Sequence, residues 1–117
     1  MEAARRLAGA CATCDLPAVE ALLAHDVVAL CDSGGLVESV HEPVEGVADV
    51  AVFTLSVLGG RPGTAVTVEN VNGQPGIAVR LIDGRAVAVV ALACVDGLIT
   101  GLYIVLSPLK LRGWHRP

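Results

Sequence analysis

The sequence predicts an α+β domain in which helices come first and a curved antiparallel sheet follows. Asn72-Gly73, Asp83-Gly84 and Asp96-Gly97 are hairpin signals at short, regular spacing. Between and around them lie apolar, β-branched runs: Thr64 to Val71, Gln74 to Ile82, Arg85 to Val95 and Leu98 to Leu106. The first third is written instead in helix formers separated by caps.

Each element follows from local chemistry. Glu2 to Cys14 is rich in Ala, Leu and Arg and predicts a helix. Asp15 offers an N-cap and Pro17 suits a first turn, so Leu16 to Ala24 predicts a second, short helix. At Asp26 the period changes: Val27 to Cys31 predicts a strand, Asp32-Ser33-Gly34-Gly35 a turn, and Leu36 to Val44 the return strand. Val47 to Leu58 predicts a third helix, stopped by Gly59-Gly60. The four later runs form an antiparallel meander, and residues 107–117 are a C-terminal tail. No linker divides the chain, so residues 1–117 read as one domain.

Tight turns allow the sheet faces to be counted, with Val71 opposite Gln74, Ile82 opposite Arg85 and Val95 opposite Leu98. One face then holds Val66, Ile77, Val79, Ala86, Ala88, Val90 and Leu92, joined by Asn70 and Tyr103. The other holds Thr67, Glu69, Arg80, Ala91 and Thr100 among apolar neighbours. Both faces are largely apolar, whereas a sheet with one wet face alternates apolar and polar. One face is therefore expected to pack on the helices and the other to meet a second subunit. The mixed composition of the second suits a homodimer surface.

Composition narrows the function classes. Hydrophobic residues make up 54% of the chain, too many for disorder and enough for a core plus a further buried surface. A net charge of −4, with scattered cations, argues against direct contact with nucleic acid. The longest apolar run, Ala86 to Val95, is too short for a membrane helix, and the N-terminus does not read as a signal peptide; the cytoplasm is the expected location. Cys11, Cys14, Cys31 and Cys94 are expected to be free thiols there. Cys11 and Cys14 form a C-x-x-C without the second pair a zinc site wants, and the spacing fits one apolar helix face. No metal and no cofactor is expected.

The order of elements resembles that of SnoaL-like, nuclear-transport-factor-like and ketosteroid-isomerase-like domains. Leu22-Leu23-Ala24-His25-Asp26-Val27-Val28 is similar to a helix-to-strand phrase of that superfamily. Asp32-Ser33-Gly34-Gly35, Val71-Asn72-Gly73-Gln74-Pro75-Gly76 and Ser107-Pro108-Leu109-Lys110-Leu111 resemble the C-terminal SnoaL-like domain of extracytoplasmic-function sigma factors most closely. The DNA-binding regions of such factors have no counterpart in these residues, and Leu36 stands where the usual phrase has a lysine. The resemblance implies a cone-like sheet wrapped by three helices around a pocket. It also implies either an isomerase-like chemistry or a regulatory contact with a transcription factor.

The chemistry that such enzymes use is a carboxylate base near the end of the first strand, opposite an oxyanion hole of tyrosine and neutral acid. Asp32 lies near the base position, with Cys31 one residue away as the alternative occupant. A turn residue bonding its own backbone is the other reading of Asp32. The first helix has no tyrosine, and the strand entering the last hairpin offers Val89, Val90, Ala91 and Leu92 where the second acid belongs. His41 is a second candidate base, pointing opposite to Glu42 on the same strand. Tyr103, the single tyrosine, Asn70 and Cys31 are candidate pocket-lining groups, and Trp114 is a candidate lid over a pocket or partner. The expected ligand is a small apolar molecule, bound in a sensor or accessory role. An isomerase, cyclase or hydrolase using Asp32 or His41, and a regulatory interaction module, are the alternatives.

Overall fold

The computed structural model describes residues 2–32, 43–60 and 62–116. The chain runs α1 (Glu2–Ala12), α2 (Leu16–Leu22), β1 (Leu23–Asp32), β2 (Val44–Glu45), α3 (Val47–Leu58), then β3 (Thr64–Val71), β4 (Gln74–Leu81), β5 (Ala86–Val95) and β6 (Leu98–Val105). A one-turn helix α4 (Pro108–Leu111) and a 3-10 turn over Arg112–Trp114 follow. The fold is α+β, with helices packed on one face of a mixed six-stranded sheet of order β2-β1-β6-β5-β4-β3.

The predicted helices form where their caps stand. The Asp15 carboxylate accepts the Ala18 backbone N–H at 3.2 Å, and Pro17 occupies the first turn of α2. The α2 helix ends at Leu22, and Leu23 and Ala24 enter β1. Their extended backbone lets β1 pair in parallel with β6, a contact between sequence-distant strands that local periodicity does not encode. The predicted return strand, Leu36 to Val44, falls largely outside the described residues; its last residue, Val44, begins β2, which pairs antiparallel with Val28 and Ala29.

The meander forms as expected, with Val71 opposite Gln74 and Val95 opposite Leu98. Asn72 and Gly73, and Asp96 and Gly97, all have positive φ, as type I′ turns require. The third turn differs. Only Gly84 has positive φ there, and the Leu81 N–H donates to the Arg85 carbonyl, closing a three-residue loop around Ile82, Asp83 and Gly84. This replaces the expected pairing of Ile82 with Arg85. Ala86 accordingly lies opposite Arg80, on the other face from Ala88. A register shift beside it restores the Val79–Ala88 pair, so the rest of the β4–β5 count holds.

A second bulge changes more. Cys94 pairs with Ile99, but Ala93 pairs with Gly101, leaving Thr100 as the extra residue. The Thr100 hydroxyl donates to the Ala93 carbonyl at 3.2 Å. The shift turns Leu102 and Ile104 toward the helices and Gly101, Tyr103 and Val105 away from them. Tyr103 therefore does not share a face with Asn70, contrary to the simple count.

The main core lies between the helices and the sheet. Leu7, Cys11, Val19, Val27, Val50, Ile77, Val90, Ile99 and Ile104 are all fully buried in it. A second, smaller cluster sits on the outer face: Val71, Ala78, Ala86 and Val89 are covered by Leu111 and Trp114 of the chain's own C-terminal segment. Thr67, Glu69 and Arg80, expected at a dimer surface, instead lie beneath or beside this segment, which crosses the sheet as a strap.

Candidate functional site

The strap is pinned along its length. The Arg80 Nε–H donates to the Trp114 carbonyl at 2.8 Å, and the Arg116 N–H donates to the Gly84 carbonyl at 2.8 Å. The Glu69 carboxylate pairs with Arg80 on one oxygen and with Arg116 at 3.1 Å on the other. Those cations, with the Arg80 hydrogen bond the largest influence, hold the Glu69 carboxyl below its ordinary range. The Ala86 N–H donates to Nδ1 of His115 at 2.9 Å. Trp114 is thus a docked strap residue, its ring packed against the outer cluster.

At the strap's other end stands the candidate site. Asp32 closes β1, and its backbone carbonyl accepts the N–H groups of Leu106 (2.7 Å) and Ser107 (3.1 Å). Its carboxylate accepts from the Tyr103 hydroxyl at 3.3 Å and pairs with Lys110. Asp32's hydrogen bond and charge raise the Lys110 amine above its ordinary value. These groups meet because β1 and β6 run parallel with Leu30 beside Tyr103, while α4 brings Lys110 back over the strand end. Beside them lies an apolar depression of about 220 Å³, bounded by Val28, Leu30, Ala91, Ala93, Gly101 and Tyr103, with Gln74 at its rim. Glycine and alanine under the larger side chains of β1 leave this hollow open.

The parity of β1 decides which residue faces the helices. Val27 and Ala29 are buried in the main core, and Cys31 packs against it from the same face. Asp32 has the opposite parity and faces outward. Of the two candidates for the base position, Cys31 is the inward one. Burial, and then the Asp32 charge, raise its thiol above the ordinary value, so it stays protonated at neutral pH.

The remaining candidates are dispersed. Asn70 accepts the Gly73 N–H at 2.8 Å and is engaged in its own turn. His41 lies outside the described residues. Cys11 is buried and its thiol is pushed up to about 12, mainly by burial. Cys14 and Cys94 are exposed, which corrects the expectation that the C-x-x-C packs as one apolar face. Cys14 lies two residues beyond the end of α1, with φ +52°. Sequence reasoning missed Lys110 and Arg80. Lys110 stands in the Ser107–Leu111 phrase and Arg80 on a counted sheet face, but neither pairing has a local signal, since their partners are 78 and 11 residues away. Among the described residues no group of His, Cys, Asp or Glu has the arrangement to hold a metal ion, and no helix is long and apolar enough to cross a membrane.

No family model and no curated protein matches the chain. Solved structures do. The extracytoplasmic function sigma factor SigJ of Mycobacterium tuberculosis is 26% identical with a TM-score of 0.65, over 96% of this chain and 43% of that one. This chain thus spans less than half of the sigma factor's length. A putative ketosteroid isomerase from Kribbella flavida is 26% identical with a TM-score of 0.57, over 89% of this chain and 74% of that one. An NTF-2 like protein of unknown function from Burkholderia xenovorans, 16% identical with a TM-score of 0.65, shares the fold over 91% of this chain and 80% of that one.

Proposed function

We propose that this chain, whose fold is the NTF2-like fold of SnoaL-like and ketosteroid-isomerase-like proteins, is a non-catalytic regulatory domain of the kind joined to sigma factors. The observation that carries the reading is the parity at the end of β1. Cys31 takes the inward position, its thiol held protonated, while Asp32 faces outward and is held by Tyr103 and Lys110. A carboxylate engaged by a cation on the outer face is a poor base for a substrate lodged between sheet and helices.

The working surface in this reading is the part of the outer face beyond the strap, where Leu30 and Tyr103 are 44% and 42% exposed. Its occupant is a second copy of the chain. Apolar residues at its centre and a charged pair at its edge match the anatomy of a protein interface. The likeness to a sigma factor over 96% of this chain supports a regulatory rather than a metabolic setting.

The test has two parts. Isomerisation of a 3-keto-Δ5 steroid and hydrolysis of a small epoxide are assayed with the parent and Asp32→Asn. No turnover above background is expected; turnover that Asp32→Asn abolishes sinks the reading. Sedimentation equilibrium of the parent and Leu30→Asp tests the surface, with a dimer expected for the first and a monomer for the second. A parent that stays monomeric at high concentration removes the second-copy assignment.

A second reading rests on the depression of about 220 Å³. It has the apolar walls and single hydroxyl that suit a small apolar ligand in a sensor role. Saturable quenching of Tyr103 fluorescence by such a ligand, in a protein that remains monomeric, would favour it over the dimer.

A further inference from the structure

Beneath the strap, lined by neither Asp32, Tyr103 nor Lys110, lies a cavity of about 320 Å³ between the start of β5, the residue after β6 and α4. That is the lower end of the size range of small-ligand pockets. Its walls include Val87, Leu106, Pro108 and Leu111, and its polar groups are Arg85 and His115, with no acid among the lining residues. The charge is therefore of one sign against an apolar wall.

Both polar groups have donors to spare. Arg6, Arg80, Lys110 and Arg116 are each ion-paired; the Arg85 guanidinium, like those of Arg5 and Arg112, has no ion pair among the described residues, and of these three it alone lines this cavity. Asp83, the acid nearest to it in sequence, accepts the Arg85 backbone N–H at 2.9 Å. Nδ1 of His115 accepts the Ala86 N–H, so the neutral ring carries its proton on Nε2 and has that N–H to offer.

We propose that this cavity binds an amphipathic carboxylate, its head group on Arg85 and His115 and its hydrocarbon chain against Val87, Leu106 and Leu111. A planar guanidinium matches a carboxylate in two parallel hydrogen bonds, and a hydrocarbon chain is the complement of the remaining wall. The site goes beyond the regulatory reading and stands or falls apart from it, because it uses none of the residues of the bare face. His115 and Leu111 belong to the strap, so an occupied site also ties the strap to β5.

The test is titration of 15N-labelled full-length protein with octanoate, with octanol and acetate as the uncharged and chainless controls. Saturable shifts of the Arg85, Ala86 and His115 amides are expected with octanoate, and binding at least about tenfold weaker with either control. Arg85→Gln is expected to weaken octanoate binding by about 10- to 100-fold. Val87→Asp, at a position 36% exposed, is expected to abolish binding while keeping the parent's circular dichroism. Octanol binding as tightly as octanoate overturns the anion assignment, acetate doing so overturns the hydrocarbon subsite, and the absence of saturable octanoate shifts overturns the site. A monomeric parent that still binds octanoate separates this proposal from the interface reading.

Discussion

Cys31 and Asp32 are consecutive residues that the sheet sends to opposite faces: Cys31 packs against the helix-side core, and Asp32 meets Tyr103 and Lys110 on the outer face. The pair has the alternation of any strand, and it places the thiol rather than the carboxylate on the helix side of the sheet. Thiol reactivity reports the arrangement directly. Iodoacetamide at neutral pH is expected to modify the exposed Cys14 and Cys94 first, the half-buried Cys31 more slowly because burial raises its thiol, and Cys11 only on unfolding. Peptide mass spectrometry over a time course checks the order, and early labelling of Cys11 contradicts it.

Lys110 titrates above its ordinary value because of Asp32. A folded-state value raised above the unfolded one gives stability that is present below the unfolded value and lost as pH rises through the folded one. Asp32→Asn should return the amine to the ordinary lysine range, and 13C NMR of labelled lysine methylenes reads this. An unchanged Lys110 midpoint would mean that the ion pair does not persist in solution.

Glu69 gives the opposite sign. Its folded-state value is lowered, chiefly by the Arg80 hydrogen bond, so its contribution is present above the unfolded value and is lost as pH falls through the folded one. Melting temperature measured from neutral pH down to about pH 3 should fall on the acid side in the parent. Glu69→Gln should be less stable at neutral pH and show a flatter acid limb. Parallel curves for the two proteins would contradict the pairing.

Tyr103 and Ile104 should differ sharply. Ile104 is fully buried in the main core, and Ile104→Ala is expected to cost about 2–5 kcal/mol. Tyr103→Phe removes one exposed hydroxyl and is expected to stay within about 0.5 kcal/mol. Urea unfolding measures both, and similar costs would place the bulge at Thr100 elsewhere.

Gly84 supports the strap. It has φ +94°, and a Cβ there would lie 1.8 Å from the Arg116 carbonyl oxygen. Gly84→Ala is expected to cost about 1–3 kcal/mol and to loosen the segment. Faster tryptic cleavage after Arg112 in the variant is the readout; cleavage at the parent rate would show that the strap is held without this contact.

The helices, the hairpins and the apolar character of both sheet faces are legible in the sequence. The signals are local: Asp15 caps its own helix, and Asn72-Gly73 and Asp96-Gly97 adopt the positive φ that their turns demand. Asp83-Gly84 carries the same letters but closes a longer loop, because the pairing of Arg80 with Ala86 is set by packing beyond the turn. Tyr103 was legible as a candidate and its face was not. The extra residue at Thr100 is silent in an apolar run where every position suits either side.

By itself, then, the sequence determined the α+β class, the order of its elements and two of the three meander turns, since these depend on residues a few positions apart. Tertiary structure alone decided that β1 lies parallel to β6, that Asp32 meets Lys110, and that the tail covers Arg80 and Glu69. Those contacts join residues far apart in the chain, whose attraction becomes visible only when the core has packed and brought their strands side by side.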